Sequence, residues 1–196
     1  MRLLTLIAVI AVFVAISAGG SDARPADKRP EAPEKVVKHL GKEAVAILSG
    51  ATKVETYRLE KKLLAKAGND TIGFDGQHWA IASKGKDRDA KFAAEVRDLL
   101  FDEATCQFSG AGGARGWVAF RLWKDKESAT LVIDFEGHHL YFAARDAEGK
   151  QIGDGVVGGF LLDAKGGFDE GVLFGHVLAL ALKAFPDDAA LKERGK

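Results

Sequence analysis

The sequence predicts an α+β fold, a single domain in which an antiparallel β-sheet carries about three helices. Three observations lead there. A chain of 196 residues with 47% hydrophobic content suffices for one domain with a real core. Amphipathic helix patterns stand before and after the middle of the chain. Between them, strand-like runs follow one another at hairpin spacing from Trp117 to Arg145, the arrangement of an antiparallel sheet rather than a parallel one.

The first residues, "MRLLTLIAVIAVFVAISAGGSDA", read as a signal peptide over 1–23. Arg2 is a minimal basic region, Leu3 to Ala18 is an apolar run, and small residues follow at Ala18 and Ala23. The run falls short of the roughly 20 residues of a spanning helix, so no stable membrane span is expected after cleavage. Residues 24–33 continue a stretch rich in proline and charge, which reads as a flexible linker.

The folded domain is expected over 34–188. "EKVVKHLGKEAVAILSG" sets Val36, Val37, Leu40, Ala44, Ile47 and Leu48 on one helical stripe ending at Gly50. "KVETYRLEKKLL" reads as a strand with an exposed face. "GNDTIGFDGQHWAIAS" reads as turns followed by a short strand around Trp79 to Ser83. A second helix follows in "KDRDAKFAAEVRDLL", with Asp87 or Asp89 as its cap and Phe92, Val96, Leu99 and Leu100 on its apolar side. "WVAFRLW", "ATLVIDF" and "HLYFAAR" are three strands, and "GVVGGFLL" a further one. The last helix lies in "FDEGVLFGHVLALALKAFPDD", acidic at its start and stopped near Phe185 and Pro186. Residues 189–196 remain as a polar C-terminal tail.

Strand alternation places the side chains. A two-residue turn at Glu136 and Gly137 pairs Ile133 with Leu140 and Leu131 with Phe142 on a core face. It pairs Asp134 with His139 and Val132 with Tyr141 on the opposite face. Pairing Leu122 with Leu131, Phe120 with Ile133 and Val118 with Phe135 adds the preceding strand. The second face then shows Trp117, Arg121, Trp123, Asp134, His139 and Tyr141. Aromatic rings flanked by Arg, Asp and His suit a small molecule with apolar and polar parts, or a protein partner. These six are the candidate binding residues. In the competing reading they are covered, and Arg121 pairs diagonally with Asp134.

Several classes fall away on composition and motif. Lys+Arg and Asp+Glu balance at 28 each, without the basic footprint of a nucleic-acid binder. Cys106 is the only cysteine, so no intrachain disulfide forms, and it reads as a small buried side chain. "GDGVVG" at Gly153 to Gly158 matches G-x-G-x-x-G, yet strand-like "FLLD" follows it where a dinucleotide site needs a helix. "GAGGARG" likewise precedes a strand. Both read as turns. His176 falls on an apolar helix stripe as a core-edge residue, and His39 and His78 lack acidic or cysteine partners at ligand spacing. No HExxH, paired CxxC or G-x-S-x-G occurs, so no catalytic residue, metal or cofactor is assigned.

Three pieces, "EVRDLLFDEATCQF", "WVAFRLW…LVIDFEGHHLYF" and "LALALKAFPDD", together resemble an uncharacterised family of exported bacterial proteins over roughly residues 90 to 188. The resemblance implies export and no known activity. The chain thus reads as an exported envelope protein, periplasmic or extracellular, acting as a non-enzymatic binding or interaction module. The alternative is a hydrolase-like or metal-binding enzyme built on Asp134 and His139, with His138 or Glu136.

Overall fold

The computed structural model describes residues 31–68, 70–74, 77–102, 105, 115–137, 139–159 and 172–196. The signal peptide, most of the linker, Cys106, most of the "GAGGARG" run and His138 lie outside them. Residues Glu31–Lys196 form one compact unit.

The expected first helix is two. α1 (Glu34–Leu40) and α2 (Lys42–Gly50) are separated by Gly41, whose φ of 87° and ψ of 151° belong to a region only glycine occupies readily. The apolar stripe persists across the break, because Val36, Leu40, Ala44, Ile47 and Leu48 are all buried. α3 (Ala90–Phe101) starts at Asp89, whose carboxylate accepts from the Phe92 amide at 3.1 Å. α4 (Val172–Ala184) stops before Pro186, as expected. The last residues, expected as a polar tail, are folded. Asp188 caps α5 (Ala189–Arg194), which buries Leu191 completely. The split at Gly41 and the addition of α5 give five helices among the described residues, against the three expected.

The strands are β1 (Lys53–Leu64), β2 (Thr71–Phe74), β3 (Gln77–Lys84), β4 (Val118–Lys124), β5 (Glu127–Asp134), β6 (His139–Arg145) and β7 (Gln151–Gly159). They form one sheet in the order β2-β3-β1-β4-β5-β6-β7, with every neighbouring pair antiparallel. The α+β class with an antiparallel sheet is therefore what the chain adopts. β2 lies where turns were expected. "GDGVVG" is strand rather than turn, because the preceding reversal is made by Asp146 to Lys150. There Asp146 accepts the Glu148 and Lys150 amides, and Gly149 takes a φ of 81°.

The β5–β6 register is the expected one, from Ile133 opposite Leu140 to Asp134 opposite His139. The β4–β5 register is displaced by two residues, with Val118 opposite Ile133 and Phe120 opposite Leu131. Asp125 causes the displacement. It adopts a φ of 53° in a tight turn that Lys124 and Glu127 close with a 2.9 Å ion pair. A shift of two keeps the side chains of Val118–Lys124 on their predicted faces, since strands alternate with period two.

All five helices are tied to one face, where Val54, Phe120, Leu131, Ile133 and Phe142 meet Ile47, Leu48, Val96, Leu100 and Val177. The opposite face holds a second, smaller core of Tyr57, Leu59, Ile72, Trp79, Ala119, Val132, Tyr141 and Ala143. That core exists because the sheet curls. Trp79 on β3 and Tyr141 on β6 are four strand positions apart, about 19 Å in a flat sheet. Their ring centroids lie 5.8 Å apart. The β2–β3 hairpin has folded over the second face.

Two glycines, one between α1 and α2 and one within α4, should respond oppositely to alanine. Gly41→Ala should destabilise the fold by about 1–3 kcal/mol through its backbone conformation. Gly175→Ala, in α4 with open space around it, should stabilise by about 0.5–1 kcal/mol. Urea unfolding of both variants checks the pair.

Candidate functional site

Strand pairing arranges the second face in rows. The first row is Tyr57, Ala119, Val132 and Tyr141, and it is buried beneath Trp79 and its neighbours. The next row is Glu55, Arg121, Thr130 and Ala143, and the third is Lys53, Trp123, Ser128 and Arg145. The folded-over hairpin ends beside these two rows. A groove of about 520 Å³ remains between it and the turn after β6, bounded by Gly73 and His78 on one side and Asp146 to Gly149 on the other. Hydroxyls of Ser128 and Thr130 line the groove, together with Arg121, Trp123 and Arg145.

Glu55 fixes the aromatic wall. Its carboxylate accepts from the Tyr57 hydroxyl at 2.7 Å, Trp123 Nε1 at 2.9 Å, Lys84 at 3.1 Å and Lys53 at 3.3 Å. Burial opposes the charge, yet these donors outweigh it and hold the Glu55 carboxyl at about 2. Burial, reinforced by the bond to Glu55, pushes the Tyr57 hydroxyl up to about 12. With its indole N–H committed to Glu55, Trp123 cannot turn its ring freely. Arg121 lies 5.6 Å from the Tyr57 ring centroid and 6.0 Å from that of Trp123.

The six candidate residues divide between three places. Arg121 and Trp123 are half-buried and line the groove. Tyr141, 2% exposed, belongs to the second core, where burial and then the charge of Asp134 raise its hydroxyl to about 12. Trp117, also 2% exposed, is on the helix side. β4 pairs regularly only from Val118. Trp117, whose amide donates to the Ile133 carbonyl at 2.8 Å, also opposes Ile133, which breaks the alternation and turns its ring against Phe135, with centroids 5.8 Å apart. Lys61, Arg194 and Arg58 stand 3.8, 4.7 and 5.0 Å from its ring. Glu136 pairs with Lys61 and Arg115, each at 2.7 Å, and these hydrogen bonds hold its carboxyl at about 2.

Asp134 and His139 are opposite each other across β5 and β6, as the turn predicted. His139 is half-buried, with its ring 6.0 Å from that of Tyr141. Asp134 is fully buried, and its oxygens accept from the backbone amides of Glu136 at 2.9 Å, Gly137 at 2.8 Å and Arg115 at 2.8 Å. It therefore shapes the hairpin bend and ties the entry to β4 onto it, instead of pairing with Arg121. A Cβ on Gly137 would come within 2.5 Å of Asp134 Oδ2, which accounts for glycine there. A carboxylate so occupied offers little to a metal or a proton transfer. Among the described residues no group of three or more His, Cys, Asp or Glu is placed to hold a metal ion. None of their helices is long and apolar enough to cross a membrane.

Ser128, Thr130 and Arg145 line the groove beyond the candidate set, and Glu55 holds its Trp123. Strand parity marks Ser128, Thr130 and Arg145, which share a face with Asp134 and His139. Glu55 carries no comparable mark, because its place depends on how β1 meets β4.

Glu55→Gln should cost about 1.5–3 kcal/mol at pH 7 through weakened charge-assisted bonds. Because its folded value of about 2 lies below the ordinary 4.5, the stabilisation from Glu55 is complete above pH 4.5 and lost as pH falls toward 2. Urea unfolding between pH 7 and 3 should show a shallower decline in the variant, and parallel curves would refute the assignment. Asp134→Ala should cost about 3 kcal/mol or more by stranding three amides, with Asp134→Asn milder. Thermal or urea melts of the two variants rank them.

Comparison with protein-family models, curated proteins and solved structures finds no match for this chain.

Proposed function

We propose that this chain is an exported bacterial envelope protein that works as a non-enzymatic binding module, with a small molecule as its ligand. The groove on the second face is the observation that supports the reading. Its volume of about 520 Å³ falls in the range of small-molecule sites, and a fixed indole, two guanidiniums and two hydroxyls converge on it. Export is supported by Arg2 and the apolar run from Leu3 to Ala18.

Binding without chemistry fits the groups at hand. Ser128 and Thr130 are nearly enclosed residues on adjacent rows, and no histidine or carboxylate among the described residues hydrogen-bonds to their hydroxyls. A nucleophile needs a base within hydrogen-bond reach. The same hydroxyls serve well as fixed donors and acceptors to a bound molecule.

A screen of small fragments against the isotope-labelled protein tests this reading. Amide resonances of Ser128, Thr130 and Ala143, and the indole N–H of Trp123, should shift together with the fragments that bind. Hits that cluster elsewhere, or that leave these four resonances unmoved, refute the groove as the binding site.

A further inference from the structure

We propose that the groove selects an oxyanion, a carboxylate or phosphate group carried on a flat apolar body; this rests on the groove being the binding site. The two guanidiniums of the groove lack carboxylate partners among the described residues. Arg121 makes one long hydrogen bond, 3.4 Å from Nε to the Thr130 hydroxyl. Arg145 donates to the backbone carbonyls of Gly149 at 3.0 Å and Gly73 at 3.3 Å. Among the described residues, neither guanidinium lies within ion-pair distance of a carboxylate.

Elsewhere Arg58, Arg97 and Arg115 each meet an acid at 2.6 to 2.7 Å and Arg194 stands 3.8 Å from Glu136, while Arg88 donates to the backbone carbonyls of Lys183 and Ala184. The acids bordering the groove do not fill the gap. Asp146 accepts the Glu148 and Lys150 amides within its own turn, and Glu148 is exposed in that turn. Two planar forks with donors to spare match the geometry of a carboxylate or phosphate.

The rows set the order of groups along the ligand. Trp123 and Arg145 flank Ser128, while Arg121 stands beside Thr130 in the next row. An oxyanion held by a guanidinium thus has a hydroxyl next to it and the Trp123 ring within reach. The ring supplies area for an apolar or aromatic body.

Titrations of the purified chain with phenyl phosphate, benzoate, inorganic phosphate and benzylamine test the inference, followed through the Trp123 indole resonance. Phenyl phosphate and benzoate should saturate, and phenyl phosphate should bind at least tenfold tighter than inorganic phosphate. Benzylamine should not bind. Arg121→Gln and Arg145→Gln should each weaken phenyl phosphate by about tenfold. Arg121→Lys and Arg145→Lys, which keep the charge and lose the fork, should weaken it less; circular dichroism confirms that all four are folded. Benzylamine binding as well as phenyl phosphate, or affinity unchanged in both glutamine variants, overturns the anion assignment and leaves the groove itself standing. Equal affinity for inorganic phosphate overturns the part assigned to Trp123. If no probe moves the groove resonances and no fragment does so either, the binding module falls with it.

Discussion

Contact between Trp79 and Tyr141 governs the shape of this protein. An antiparallel sheet with helices on one face normally leaves the other to solvent, its strands alternating between apolar and polar residues. Here the second face carries apolar residues at Tyr57, Leu59, Ala119, Val132 and Tyr141, and no helix among the described residues covers them. Only a further part of the sheet can bury them. The β2–β3 hairpin does so by curling over, and its Trp79 is entirely enclosed. Burial of that ring and its neighbours offsets the bending of β1, whose pairing with β3 is irregular between Arg58 and Leu63.

The groove is a consequence of where that cover ends. The hairpin is short, so it shields the first row of the second face and stops beside the next two. Those two rows hold the charged and hydroxylated residues, and Arg145 reaches across to the Gly73 carbonyl at the hairpin edge. Glu55 sits at the boundary. It joins Tyr57 of the enclosed row to Trp123 of the open one, so packing of the core and orientation of the groove wall share one carboxylate.

Much of this is written locally and some is not. The β5–β6 register was legible because both strands alternate cleanly and "DFEG" marks the bend, although the physical agent is the Asp134 carboxylate rather than a mirror-image turn. The faces of β4 were legible for the same reason, while its offset depended on Asp125 taking a positive φ, which alternation does not record. Trp117 escaped because the period was extended one residue past the end of the strand. Gly41 was hidden by a stripe that continues through the break. Arg121 and Trp123 could be placed on the functional face from parity alone. That they stay open while Tyr141 is enclosed depends on Trp79, some sixty positions earlier, and no local pattern encodes a contact of that kind.

β1, like β4, β5 and β6, contributes to both cores. Val54 faces the helix-side core, Tyr57 and Leu59 face the second core, and the strand pairs with both β3 and β4. The two cores are thus opposite sides of the same backbone, and the centre of the sheet cannot loosen on one side without exposing the other. Amide hydrogens of β1, β4 and β5 should then exchange with solvent only through global opening, as one cooperative unit. The outer hairpin stands apart from that unit, held by Trp79 and by the irregular stretch of β1. Lifting it would widen the groove only by uncovering Tyr57, Leu59 and Tyr141, so the groove opens no more readily than the second core does.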